Sequence, residues 1–185
     1  LVTETEKDAV SIPLYLGEYQ VKEISVGNNE LILNPAVYDV TLSYQDQLTP
    51  IITEHLDAYN DRPPTELLLE KQAEVYQPDD SSIKAVPGAG FTFGLFASED
   101  IHGVGNALLR KGDLVTVGIT QNDGHLIITN ELPYGQYEFR ELNVSPSYYP
   151  HDTTYPVDLS YPGSEVSKVT VQVNQGEPIL NKLVT

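Results

Sequence analysis

Neither cysteine nor methionine occurs anywhere in the 185 residues. Without cysteine there is no disulfide framework and no thiolate metal site, so the fold must be held together by other means. The lack of cysteine leaves secretion open, and the lack of methionine fits an oxidant-exposed setting. Basic residues are scarce: ten against 27 acidic ones give a formal charge of −17 and an isoelectric point near 4.3. Such a surface repels phosphate backbones and anionic headgroups, which sets aside nucleic acid and membrane surfaces as partners. No stretch approaches the roughly 18 apolar residues of a membrane span, and residues 1–10 have neither a basic start nor an apolar stretch. The expectation is a soluble, mature fragment without membrane insertion, whose natural N-terminus lies upstream of Leu1.

Catalytic signatures are missing as well. There is no GxSxG, HExxH, phosphate loop or dinucleotide fingerprint, and the glycines at 88, 90 and 94 precede a strand rather than a helix. His55, His102, His125 and His151 are scattered without ligand spacing, and Asp79, Asp80, Glu99 and Asp100 lack the spacing of a calcium loop. Solvated loops explain them, and neither a metal nor another cofactor is expected. Asn143-Val144-Ser145 matches a glycosylation acceptor, a motif short enough to arise by chance.

What the chain does contain is enough apolar character to fold, 40% hydrophobic against 20% charged residues, and one clear internal repeat. Residues 1–44 match residues 116–161 at an offset of 117 to 118. Gly17, Tyr19 and Glu23 fall on Gly135, Tyr137 and Glu141; Tyr38, Val40, Leu42, Ser43 and Tyr44 fall on Tyr155, Val157, Leu159, Ser160 and Tyr161. Two separated segments matching in the same order indicate a duplicated domain.

Both segments alternate apolar and polar residues between turn clusters such as 25–29 and 122–124, the pattern of strands. Twelve tyrosines, 13 prolines and 13 glycines favour a sheet protein rich in turns. Short helix candidates, at Leu48–Leu56 and Glu99–Leu109, are interrupted by turn residues or β-branched runs. Strands are predicted at Glu66–Val75, Phe91–Phe96, Leu114–Thr120, Leu126–Thr129, Gln136–Leu142, Tyr155–Tyr161 and Val169–Val173, with a terminal segment at Pro178–Val184. That number and spacing give an all-β, two-sheet sandwich. The first copy holds only the later half of the set. The expected division is residues 1–62, the C-terminal part of a first domain, and 63–185, a complete second one, joined at Asp61–Thr65 where Pro63-Pro64 stiffens the chain.

Parity shows which polar groups face inward, since residues two apart share a face. Leu67, Leu69, Lys71, Ala73 and Val75 share one face, which puts a lysine within an apolar row. Glu141 shares a face with Tyr137 and Phe139, as Glu23 does with Tyr19 and Val21. One reading is a structural ion pair, or a lysine whose ammonium reaches out past the end of the sandwich. The other is covalent. Burial disfavours charge on both groups, so such a pair can stand as free amine and carboxylic acid. With an asparagine alongside, the amine attacks the amide carbonyl while the acid relays protons, and a Lys–Asn isopeptide bond results.

The run GQYEFRELNVSPSYY resembles the GxYxxxExxAPxGY box of the Cna B-type, or SpaA-like, domains of Gram-positive adhesins and pilins. LLLEKQAEV at 67–75 looks like the family's first strand with its lysine, and PGAGFTFGLFASEDI at 87–101 looks like its PLAGAxFxLYxxED segment. The resemblance covers nearly the whole chain in the right order, and departs from the box at Asn143–Ser147, in the loop after the glutamate. It implies tandem prealbumin-like Greek-key sandwiches, the first truncated. It also implies a cell-wall-anchored extracellular stalk module with neighbouring repeat domains as partners, and an intramolecular bond between a first-strand lysine and a last-strand asparagine. Carried onto this sequence, Lys71 is the amine, Glu141 the catalytic acid and Asn181 the acceptor. Asn181 shares a face with Ile179 and Leu183, whereas the alternative, Asn174, stands in a turn-like NQG context. In the first copy Glu23 and Asn60 are the matching acid and acceptor, but no lysine-bearing strand precedes them, and Lys7 lies in an acidic, turn-like run; that bond is expected not to close within this chain. The alternative function is a module binding a host glycan or matrix protein through Tyr148, Tyr149, Tyr155 and Tyr161.

Overall fold

The computed structural model describes residues 12–27, 31–49, 51–102, 108–149 and 152–184. The chain forms two compact units, one from residues 1–62 with Gly163–Glu165, the other from Pro63–Pro162 with Val166–Thr185. Strands dominate both. Of the two helix candidates, 48–56 forms no helix, and 99–109 contributes instead a short pair of strands at its described ends.

Within the first unit, β1 (Gly17–Lys22) pairs antiparallel with β2 (Val37–Leu42). The second unit contains β3 (Thr65–Gln77), β4 (Ser82–Pro87), β5 (Thr92–Ala97), β6 (Ile101–His102), β7 (Leu108–Leu109), β8 (Leu114–Ile119) and β9 (His125–Asn130). Its remaining strands are β10 (Gly135–Glu141), β11 (Thr154–Leu159), β12 (Val169–Gln172) and β13 (Ile179–Asn181). One sheet runs β11-β10-β5-β8, and the other is built around β3. The inward residues of both sheets form one core, with Leu67, Leu69, Phe93, Leu95, Tyr137, Phe139, Val157, Leu159 and Ile179 all nearly inaccessible to solvent. Burial of each such side chain contributes about 1.5–3 kcal/mol, which makes this interior the main source of stability in a chain without disulfides.

The repeat read from the sequence is also a repeat in space. In the first unit Tyr19 faces Val40 and Gly17 faces Leu42; in the second Tyr137 faces Val157 and Gly135 faces Leu159. Each tyrosine hydroxyl donates to the carbonyl four residues back, Tyr19 to Tyr15 O and Tyr137 to Pro133 O, both at 2.6 Å. Burial of Tyr137 pushes its hydroxyl pKa up to about 12, so it remains a donor at any physiological pH.

β3 organises the second unit. Its burial alternates strictly from Thr65 to Ala73, the period expected of a strand with one face on the core. Two partners divide each of its edges. On one, Thr65–Glu70 pair antiparallel with β9 and Gln72–Gln77 with β4. On the other, Thr65–Leu68 pair parallel with β12 and Lys71–Ala73 with β13. Lys71 therefore sits where the strand changes neighbours.

Candidate functional site

At that junction the ladder is carried by turn residues. The Lys71 N–H donates to Gly124 O and its carbonyl accepts from Gly88 N–H, both at 2.8 Å. Neither glycine has room for a side chain. A Cβ on Gly124 would lie 2.4 Å from Lys71 O, and one on Gly88 would lie 2.7 Å from Lys71 Cγ. The Gly88–Phe91 segment is fixed in turn by buried Thr120, whose hydroxyl donates to Gly88 O at 2.6 Å and accepts from Phe91 N–H at 3.0 Å. The lysine stem thus runs inward along a glycine-lined slot, with Nζ 4.7 Å from the centre of the Phe91 ring.

Lys71 is wholly buried. Its Nζ donates to the carbonyls of Gln72 and Ile179, each at 3.0 Å, and lies 3.9 Å from Glu141 Oε2. Burial pulls its pKa down to about 8 despite the opposing pull of the Glu141 charge. The ion-pair attraction is thus outweighed by the cost of burying the ammonium, and free amine is accessible near neutral pH.

Glu141 ends β10, facing Phe93 of β5 across the sheet, with its side chain 1% exposed. Asn181 ends β13, is fully buried, and donates from Nδ2 to Glu141 Oε1 at 2.8 Å. Because β13 pairs in parallel with β3, Ile179 lies opposite Lys71, and Asn181 is the next residue of β13 on that inward face. The structure therefore brings Lys71, Glu141 and Asn181 into one closed site between the sheets. Asn174 lies elsewhere, in the tight turn Val173–Gly176 with left-handed backbone (φ +54°), its amide donating to Glu177 O.

In the first unit Glu23 and Asn60 also meet. Asn60 Nδ2 donates to Glu23 Oε2 at 2.6 Å and to Ile32 O at 3.0 Å, and Glu23 Oε2 accepts a second bond from Asn34 N–H at 2.7 Å. Lys7 lies outside the described residues.

Three of the four acidic residues considered for calcium serve loops. Asp80 accepts from Lys84 and Ser82, Asp100 from the Lys111 N–H, and Glu99 from the Gln136 N–H. Of the four tyrosines considered for ligand stacking, Tyr148 packs on Phe91 and Tyr161 on Tyr134 at 5.7 Å each, and Tyr155 packs against the core; Tyr149 is half exposed.

Gly88, Gly124, Phe91 and Thr120 are the site residues that sequence reasoning left out. Their glycines were visible as turn and pre-strand residues, but nothing local marks which strand a turn will touch.

No family model and no curated protein matches the chain. Among solved structures it is similar to the Bacillus anthracis TIE protein, at 19% identity over 92% of this chain and 26% of that one, with a TM-score of 0.58. It also matches GBS52, the minor pilin of Streptococcus agalactiae, at 20% identity over 93% of this chain and 62% of that one, TM-score 0.41. A third match is the SpaE basal pilin from Lactobacillus rhamnosus GG, at 19% identity over 79% and 56%, TM-score 0.42. The chain thus spans about a quarter of the TIE protein and under two thirds of these pilins. At such identities the likeness is one of fold alone, and the fold is that of an all-β sandwich.

Proposed function

We propose that this chain is a stalk-type module of an extracellular Gram-positive adhesin or pilus, strengthened by an autocatalytic bond between Lys71 and Asn181. The observation that carries the reading is the burial of an amine, a carboxyl group and a carboxamide together in an otherwise apolar core, with Asn181 Nδ2 2.8 Å from Glu141 Oε1 and Lys71 Nζ 3.9 Å from Oε2. A structural ion pair alone accounts less well for this site. Burying a lysine whose Nζ is beyond hydrogen-bond distance of its carboxylate is costly, and apolar residues of similar volume would fill the space at no such cost.

In the reaction the neutral Lys71 amine adds to Cγ of Asn181. Glu141 takes a proton from the attacking nitrogen and delivers it to Nδ2, the Cγ–Nδ2 bond breaks, and ammonia leaves. The chain is then lighter by one ammonia and nothing else is consumed. The closed site keeps water from the same carbonyl, which disfavours hydrolysis to aspartate.

Glu141→Gln preserves size while removing the proton relay. The native chain is expected to have an intact mass one ammonia below that of its sequence, and Glu141→Gln the full sequence mass with a retained β-sheet circular dichroism spectrum. A native chain at full mass, or a crosslinked Glu141→Gln variant, would exclude the reading. Neighbouring repeats of the same polypeptide and further pilin subunits are the partners that suit such a stalk.

A further inference from the structure

Asn181 is the last residue of β13, and β13 pairs with β3 over only three residues, Ile179–Asn181 against Lys71–Ala73. A ladder so short fixes its end residue poorly, yet a misplacement of about 1 Å at a reacting group can cost on the order of 100-fold in rate. The three residues beyond Asn181 carry the missing restraint. Lys182 O accepts from Tyr149 N–H at 3.0 Å, Val184 N–H donates to Ser147 O at 2.9 Å, and Tyr148 and Leu183 form an antiparallel bridge. The donor left over, Leu183 N–H, goes to the Glu74 carboxylate at 3.0 Å. Glu74 is the β3 residue directly after Ala73, so the strand continues its hold on the acceptor segment with a side chain where its main-chain pairing to β13 stops. The opposing loop also reaches the amine, because the Tyr148 ring packs on Phe91 and the Phe91 ring lies 4.7 Å from Lys71 Nζ.

We infer that Glu74 and residues 147–149 form a clasp on residues 182–184 that presents Asn181 to Lys71, with Glu74 as a positioning residue for the crosslink. The inference rests on the Lys71–Asn181 chemistry proposed above and adds to it a residue that takes no part in the proton transfers. Glu74 has the opposite parity to Lys71 on β3, and it acts on Asn181 through the main chain two residues further on. What the clasp requires of it is reach, an acceptor oxygen set against Leu183 N–H, and not its charge.

The test refolds the full 185-residue chain from urea at pH 8 and follows the loss of ammonia by intact mass at quenched time points. Each rate is referred to the folded fraction given by the circular dichroism of the same sample, so that a merely structural loss drops out. Glu74→Ala and Glu74→Asp are expected to crosslink roughly tenfold or more slowly than the native chain, the latter because its carboxylate is one carbon short of Leu183 N–H. Glu74→Gln keeps the length and an acceptor oxygen, and its rate is expected to stay within about threefold of native. A native rate in Glu74→Ala overturns the inference, and so does the reverse order, with Glu74→Asp fast and Glu74→Gln slow. Should Glu74→Ala not fold, the Asp and Gln variants decide by their order, and equal rates in those two overturn the inference. A native chain that stays at full sequence mass overturns the Lys71–Asn181 reading and the clasp together, whereas a native chain that crosslinks beside unaffected variants overturns the clasp alone.

Discussion

Lys71 has two carbonyl acceptors and an aromatic ring around its amine, and a carboxylate slightly too far away for a hydrogen bond. This arrangement tolerates an ammonium but does not stabilise it fully, which is why burial dominates and the pKa falls to about 8. The sign of the resulting pH dependence follows. Between about 8 and the ordinary lysine value of 10.5 the unfolded chain binds the extra proton and the folded chain does not. The uncrosslinked fold therefore gains stability as pH rises through that window. The reactive species is the free amine, so crosslinking of chain refolded from denatured inclusion bodies should proceed at a pH-independent rate above about 8 and slow roughly tenfold per unit below it. Mass spectra of quenched time points between pH 5 and 9 measure this directly; a flat profile would mean that loss of the Lys71 proton does not limit the reaction. The inward lysine and glutamate were legible at this scale because strand parity assigns a face to each residue. The cradle was not: Gly124 is 53 positions from Lys71 and touches it only through the packing of separate elements.

At the scale of elements, β3 is the strand on which the site depends, and the exchange of its antiparallel partner from β9 to β4 at Lys71 leaves that residue's backbone to Gly124 and Gly88. Gly124 has φ +81°, and a Cβ there would strike the Lys71 carbonyl. Gly112 has a similar φ of +93° but faces open space. Gly112→Ala should cost only the strain of a left-handed backbone, about 1 kcal/mol. Gly124→Ala should cost several times as much and also slow the crosslink, as urea unfolding and intact mass would reveal; equal costs would show that the Lys71 contact is unimportant. Most strands were readable from alternation, and Asn181 could be preferred to Asn174 because its face matched Ile179 and Leu183. β4 was missed because Ser82–Pro87 alternates poorly and is a strand only by pairing with the far end of β3. The segment 99–109 suggested a helix, yet Ile101 is drawn into the core and pairs across to Leu109 as a strand. Periodicity in a short apolar run does not separate these outcomes.

For the whole molecule, a Lys71–Asn181 bond would close a loop of about 110 residues, stabilising the second unit by roughly 4 to 5 kcal/mol on the loop-entropy argument used for disulfides. It would tie β3 to β13, the first and last strands of that unit, so tension applied to its ends would pass through a covalent bond and not through the ladder of hydrogen bonds. A cysteine-free chain would gain in this way a staple that no reductant opens. Both copies hold a glutamate against an asparagine, and among the described residues the second alone sets a lysine beside them. The most direct test of the account is to locate the linkage by tandem mass spectrometry of a protease digest of the native chain. It predicts one branched peptide joining the Lys71 segment to the Asn181 segment, lighter than their sum by one ammonia. Separate linear peptides carrying Lys71 and Asn181 at full mass, or a branch at Asn174, would contradict it.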